Sequence, residues 1–191
     1  LNGRDSLGKW ESEPYGLAVW NGTSWKLKRL YAMYPNTNAS FTLTPSGILV
    51  FSKDEIWFAD NNVFRWNGKD NFVTPYWLNA DKGEIPNPIW RKFYQQAWCV
   101  WGTSGKNLYA GGTWGALAHF DGTTWRNIET GTDSHVRDIF GAYNDKKKEY
   151  EILAVGSPGA GGSDRKIFQI RGTSASAITH YPIPRRLTNV W

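Results

Sequence analysis

"AVWNGTSWKL", residues 18–27, sets Trp20 and Trp25 on either side of Asn21-Gly22-Thr23-Ser24. Asn-Gly is a strong hairpin signal, because both central residues of a type I′ turn need φ > 0, which Asn and Gly tolerate best. With Asn21-Gly22 as a two-residue loop, Trp20 pairs with Thr23 and Ala18 with Trp25. Side chains alternate along a strand, so the two indoles then share one face as diagonal neighbours. Asn21-Gly22-Thr23 also spells an N-glycosylation acceptor, as does Asn38-Ala39-Ser40 in a loop.

The stretch recurs, which favours a turn over a sugar attachment site. Phe120-Asp121-Gly122-Thr123-Thr124-Trp125 is a close copy, Trp66-Asn67-Gly68-Lys69-Asp70-Asn71-Phe72 a looser one and Ile170-Arg171-Gly172-Thr173-Ser174 a degraded one. A turn that tolerates Asp or Arg in the Asn position is kept for its shape. The Asn67 copy has an extra residue before its second aromatic and implies a longer or bulged turn. The leading residues fall at 20, 66, 120 and 170, steps of 46, 54 and 50. A period near fifty suits propeller blades and is too long for most solenoid repeats.

A second signal precedes the hairpins. Val50-Phe51, Val100-Trp101, Ile139-Phe140 and Val190-Trp191 each open a repeat. Three are followed by a short apolar strand: Glu55–Ala59, Asn107–Gly111 and Glu151–Gly156. Each unit reads as four antiparallel strands. The third is clearest, with strands near 97–102, 107–111, 116–120 and 123–129 and turns at Ser104-Gly105-Lys106, Thr113-Trp114-Gly115 and Asp121-Gly122. The fold class is therefore all-β, a β-propeller of four-stranded antiparallel blades. The expected division is a half blade over 1–30, blades over 47–78, 97–130 and 136–183, and the first strand of a next blade at 187–191. Starting on two outer strands and ending on one inner strand fits an excerpt of a propeller of about six to eight blades better than a closed four-bladed ring. The stretch 78–96 reads as an insertion with a turn or two of helix.

Composition agrees. The chain has 191 residues, 40% hydrophobic and 20% charged, with 12 Trp and 20 Gly. That is a globular composition with short twisted strands and tight turns. No apolar stretch approaches the roughly 20 residues of a membrane helix. Cys99 is the sole cysteine, which excludes an internal disulfide and a cysteine-based metal site. The net charge of +5 is scattered apart from Lys146-Lys147-Lys148 and Arg185-Arg186, so nucleic acid is not an expected partner.

"DEIWFA" (54–59), "CVWGTSGKNLYAGG" (99–112) and "GLAVWNGTSWKLKRL" (16–30) resemble bacterial secreted or lipoprotein β-propellers. Those carry repeated Val-Trp-Gly, Asp-Ile-Trp-Ala-Val-Gly and His-Trp-Asp-Gly-x-x-Trp motifs, and some bear a glucosyl transferase label. The resemblance implies the fold and an extracellular or cell-envelope location, with any lipid anchor outside these residues. It transfers no catalytic residue, and nothing in the chain resembles a nucleotide-sugar site. The repeat around Arg171-Gly172 departs most.

Catalytic signals are sparse. His119 lies in a strand, His135 and His180 near blade ends, and none has an i, i+4 partner or metal spacing. No Gly-x-Ser-x-Gly elbow occurs. "GSPGAGGSD" (156–164) is Gly-rich, but no helix follows to bind an anion. Asp54 and Glu55 sit at a strand start and Asp138 in an opening strand, while a propeller glycosidase would use paired carboxylates set by their distance near the central channel. Asp121-Gly122-Thr123-Thr124-Trp125 is one residue short of a sialidase-type Asp box. No catalytic residue, metal or cofactor is therefore assigned. Exposed aromatics offer the better binding surface, since flat apolar faces suit sugars and protein partners. The loops on one face would carry Trp77, Trp90, Arg91, Tyr94 and Trp114. The competing role for these tryptophans is to fill the space between blades, as assigned to Trp57, Trp101 and Tyr109. The expected function is a non-catalytic extracellular or envelope interaction or scaffold module with a protein or glycan partner. The alternative is a carbohydrate-active propeller enzyme.

Overall fold

The computed structural model describes residues 15–78, 89–90, 95–159, 164–178 and 188–190. These form short antiparallel strands throughout. Two hairpins come first, β1 (Leu17–Trp20) with β2 (Trp25–Lys28), and β3 (Tyr31–Met33) with β4 (Ser40–Thr42). Three four-stranded sheets follow. Sheet I holds β5 (Gly47–Ser52), β6 (Glu55–Asp60), β7 (Asn62–Trp66) and β8 (Thr74–Tyr76). Sheet II holds β9 (Ala97–Ser104), β10 (Asn107–Gly112), β11 (Leu117–Phe120) and β12 (Trp125–Asn127). Sheet III holds β13 (His135–Asn144), β14 (Glu149–Ser157), β15 (Lys166–Arg171) and β16 (Ser174–Ala177). Strands pair in chain order, so each sheet is a meander.

The opening hairpin differs from its expected register. Trp20 pairs directly with Trp25 and Ala18 with Leu27, which leaves a four-residue loop, Asn21–Ser24. Asn21 is there as an acceptor. Its Oδ1 takes the N–H groups of Thr23 at 2.9 Å and Ser24 at 2.8 Å. Gly22 supplies the one residue with φ > 0, at +96°. Asp121 repeats the arrangement on Thr123 and Thr124, at 3.0 and 2.8 Å, with Phe120 opposite Trp125. Asn67 captures Lys69 and Asp70 in the same way, inside the longer turn that the extra residue demands. The degraded copy closes with two residues, since Arg171 pairs directly with Ser174. Each captured N–H would otherwise lack a protein partner, which explains why Asn and Asp alternate there.

The sheets are two-faced and stack in sequence. Strand alternation sends Ile56 and Phe58 to one side of β6 and Trp57 and Ala59 to the other, and all four are buried. Burial of both faces makes β6 and β10 near-continuous apolar runs. One apolar cluster joins the hairpins to sheet I through Leu30, Ala32 and Leu43 against Phe58, Phe64 and Trp66. A second joins sheets I and II through Trp57, Val63, Leu108, Phe120 and Trp125. A third joins sheets II and III through Tyr109, Leu117, Ile139, Ile152 and Phe168. Trp57 and Tyr109 are thus inter-sheet core, with Trp101 packed half-buried on the third cluster.

Other expectations fare unevenly. The hairpin β3–β4 occupies residues with no assigned strand, and Asn38 lies in its connecting loop. Residues 188–190 are not in a strand; the Val190 N–H donates to Asp138 Oδ2 at 2.9 Å. Residues 1–14, most of the 78–96 insertion, 160–163, 179–187 with His180, and Trp191 lie outside the described residues.

The turn chemistry gives a pH prediction. The Thr124 and Thr123 N–H groups hold the Asp121 carboxyl below its ordinary value, with help from Arg126. A carboxyl with a lower pKa in the folded chain stabilises the fold above the ordinary aspartate range, about pH 4, and loses that contribution as the pH falls through its folded value. Asp121→Asn keeps the Oδ1 acceptor and removes the titration. Melting temperature measured across this acid range is expected to fall less steeply in the variant than in the parent chain. Parallel curves would show that the turn does not depend on the charged carboxylate.

Candidate functional site

The two ends of the stacked sheets differ in chemistry. One end carries the Asx turns around Asn21, Asn67, Asp121 and Asn144, whose polar groups satisfy one another locally. Asp54 and Glu55 sit there too, paired with Lys69 and Arg65. The opposite end holds Asn62, Gln95, Thr113, Ser134, His135 and Ser157, all of them buried polar residues. Buried polar groups persist where partners are built for them. Asn62 Oδ1 accepts the Leu78 N–H at 2.8 Å, and Thr113 Oγ1 accepts that of Gln96 at 2.8 Å. Ser134 Oγ donates to the Asp164 carbonyl at 2.6 Å.

The Thr113 bond anchors the tight turn Thr113–Gly115 between β10 and β11. Trp114 lies in the left-handed region, at φ 54° and ψ 46°, a conformation that costs a bulky residue about 1–3 kcal/mol. The turn is held on every side. Gln95 Nε2 donates to the Trp114 carbonyl at 3.2 Å, the Gly115 N–H donates to the Ser134 carbonyl at 3.0 Å, and Thr130 Oγ1 donates to the Gly115 carbonyl at 3.1 Å. Gly115 has φ +70°, and a Cβ on it would stand 2.0 Å from the Thr132 carbonyl oxygen, so only glycine fits. The result is an indole 41% exposed on a fixed backbone.

Two strand starts pack behind the indole. His135, the first residue of β13, stacks on Trp98 of β9 with ring centroids 5.2 Å apart and planes 3° from parallel. Trp114 meets the same imidazole at 5.5 Å and 49°. The Arg137 guanidinium lies 4.6 Å from the Trp98 ring centre. Ser46 Oγ ties the Trp98 carbonyl to sheet I at 3.0 Å. Asp164 lies beside this group and accepts from Thr132 Oγ1 at 2.7 Å. That bond, with Lys166, holds its carboxyl below the ordinary range. Asp60, at the same end of sheet I, is pushed the other way by burial, partly offset by the Thr44 N–H at 2.7 Å. The arrangement sets the half-exposed Trp114 indole over the Trp98–His135 stack, with the Arg137 guanidinium on Trp98 and Asp164 bonded to the neighbouring Ser134.

Of the described aromatic residues singled out from the sequence, Trp114 alone lies in this surface. Trp114 is its most exposed ring. Trp77 is half-buried elsewhere, edge-on to Phe64 at 6.0 Å. Trp90 is fully buried between sheets I and II, where Ala97, Ala116 and Ala118 leave room for an indole. Its indole N–H donates to the Leu117 carbonyl at 3.4 Å, and the fully buried ring offers no face to a ligand. Arg91 and Tyr94 lie outside the described residues. Trp98, His135 and Arg137 are additions. Their signal was positional, because the first residues of successive opening strands converge at the end that carries the Thr113–Gly115 turn. His119 contacts Asn107 Oδ1 through Nε2 at 2.7 Å and packs on Tyr109, a structural role, and burial lowers its pKa. Asp138 accepts the Ile139 and Val190 N–H groups. Cys99 is buried, which pushes its thiol far up and leaves it unreactive. Among the described residues no group of three or more His, Cys, Asp or Glu could hold a metal ion, and no helix is long and apolar enough to cross a membrane. Set against family models, curated proteins and solved structures, the chain matches none.

Trp114→Gly separates a structural from a functional role for the indole. The glycine relieves the left-handed strain while losing the contact with His135. Urea unfolding is expected to show a stability change within about 1 kcal/mol. A loss above about 3 kcal/mol, the scale of emptying a core site, would make Trp114 a packing residue instead.

Proposed function

We propose that the chain is a β-propeller, built of four-stranded blades, that serves as a non-catalytic interaction or scaffold module outside the cell or in the bacterial envelope. The stacking of two-faced antiparallel sheets at a period near fifty residues supports the propeller reading. The motif resemblance supports the location. One observation carries the binding role: Trp114 is held half-exposed in a strained conformation that the fold around it over-determines. Such strain persists where the surrounding structure enforces it, and it clusters at ligand sites.

The ligand contacts the Trp114 indole, whose planar apolar face suits a sugar ring or an aromatic side chain of a protein. Tryptophan emission titrated with a panel of soluble glycans and with envelope proteins is expected to shift for at least one of them. Trp114→Ala is expected to weaken that binding at least tenfold, about 1.4 kcal/mol. Unchanged affinity in the variant, or no response across the panel, would remove Trp114 from any binding role.

A further inference from the structure

The loop Asn21–Ser24 carries reactive chemistry of its own. Asparagine is among the thermolabile side chains, because the backbone nitrogen of the next residue can attack its side-chain amide. Glycine in that next position, lacking a Cβ, hinders the attack least. The sequence holds Asn-Gly at residues 2–3, 21–22 and 67–68, and the last two pairs lie among the described residues. Both open Asx turns in which Oδ1 accepts the N–H groups two and three residues on. By sequence and by turn chemistry they are equals.

Their surroundings separate them. Asn21 and Gly22 are both exposed, and a Cβ on Gly22 would meet nothing within 4 Å. Among the described residues the hydrogen bonds of Asn21 stay within its own loop, and none engages its Nδ2. The turn also activates the amide. Thr23 and Ser24 donate to Oδ1 at 2.9 and 2.8 Å, the atom on which negative charge grows when Cγ is attacked. That is the arrangement of an oxyanion hole. Asn67 has equivalent donors but is locked. Its Nδ2 donates to the Asp70 carboxylate. The Trp66 indole N–H donates to the Asp70 carbonyl at 2.6 Å, and Lys28 Nζ to the Lys69 carbonyl at 3.3 Å. Gly68 lies so close to the Lys53 carbonyl that a Cβ would not fit. Its nitrogen reaches Cγ only by breaking these contacts.

We propose that Asn21 is a site of spontaneous deamidation in the folded chain, and that the second turn protects Asn67. The Gly22 nitrogen attacks Cγ, so an N–Cγ bond forms and the Cγ–Nδ2 bond breaks. The Gly22 amide proton passes through solvent to the leaving nitrogen, which departs as ammonia. The cyclic imide then takes up one water. Opening at Cγ gives aspartate. Opening at the main-chain carbonyl gives isoaspartate, with the main chain rerouted through the side chain. No oxidant or reductant takes part. The two products act differently on the hairpin. Aspartate keeps the turn, since Asp121 holds the Thr123 and Thr124 N–H groups in the equivalent loop. Isoaspartate draws the side-chain carbonyl into the backbone and lengthens the loop between Trp20 and Trp25, which pair directly across it.

The test incubates the full chain in mildly alkaline buffer, with circular dichroism to show that it stays folded, and in parallel in urea. Peptide mapping by mass spectrometry follows conversion at Asn21 and at Asn67 and separates aspartate from isoaspartate. In the folded chain Asn21 is expected to convert at least about tenfold faster than Asn67. In urea the two rates are expected to converge, because both Asn-Gly pairs are then open. Equal conversion in the folded chain, or faster conversion at Asn67, would overturn the proposal. A preference for Asn21 that persisted undiminished in urea would overturn it too, by assigning the difference to the following residues, Thr23 and Lys69, and not to the fold.

Discussion

The structure depends on the contact in which Trp57 of one sheet meets Phe120 of the next, with Trp125 stacked on Phe120 at 5.1 Å. A four-stranded antiparallel sheet cannot bury two apolar faces alone, and here each sheet uses the face of its neighbour. The Trp57 and Trp125 indole N–H groups are buried with no acceptor among the described residues. Leaving such a donor unpaired costs about 1–3 kcal/mol, so the aromatic area gained must exceed that. Fixing the sheets face to face also fixes where their ends fall. The Asx turns collect at one end, and Trp98, Trp114 and His135 collect at the other.

That asymmetry separates what holds the fold from what the fold can offer. At the turn end, Asn and Asp side chains capture the loop N–H groups. At the opposite end, Thr113, Ser134 and Gln95 spend their hydrogen bonds on a strained backbone turn that leaves one indole in solvent. The proposed interaction role rests on this economy of bonds at Trp114.

Much of the fold was legible in the sequence, for physical reasons. A hairpin must close on a loop of fixed chemistry, so the turn recurred visibly at Asn21, Asn67 and Asp121. Sheets buried on both faces need continuous apolar strands, so Glu55–Ala59 and Asn107–Gly111 stood out. The register was not legible, because Asn-Gly suits either a two-residue turn or a four-residue loop capped by the Asn side chain. Only the backbone shows which donors Asn21 captures. The burial of Trp90 was hidden because it depends on small side chains, Ala97, Ala116 and Ala118, seven or more residues away along the chain. Trp98, His135 and Arg137 were hidden for a related reason. Their meeting with Trp114 is a product of sheet stacking, and no local spacing records it.

The central claim is that aromatic contacts between successive sheets carry the fold. A double-mutant cycle on Trp57→Leu and Phe120→Leu, read by urea unfolding, tests it most directly. The account predicts a coupling of about 0.5–1.5 kcal/mol between the two positions, as for aromatic rings in direct contact. Two losses that add to within about 0.3 kcal/mol would mean that the rings do not meet, and would contradict the stacking of sheet I on sheet II.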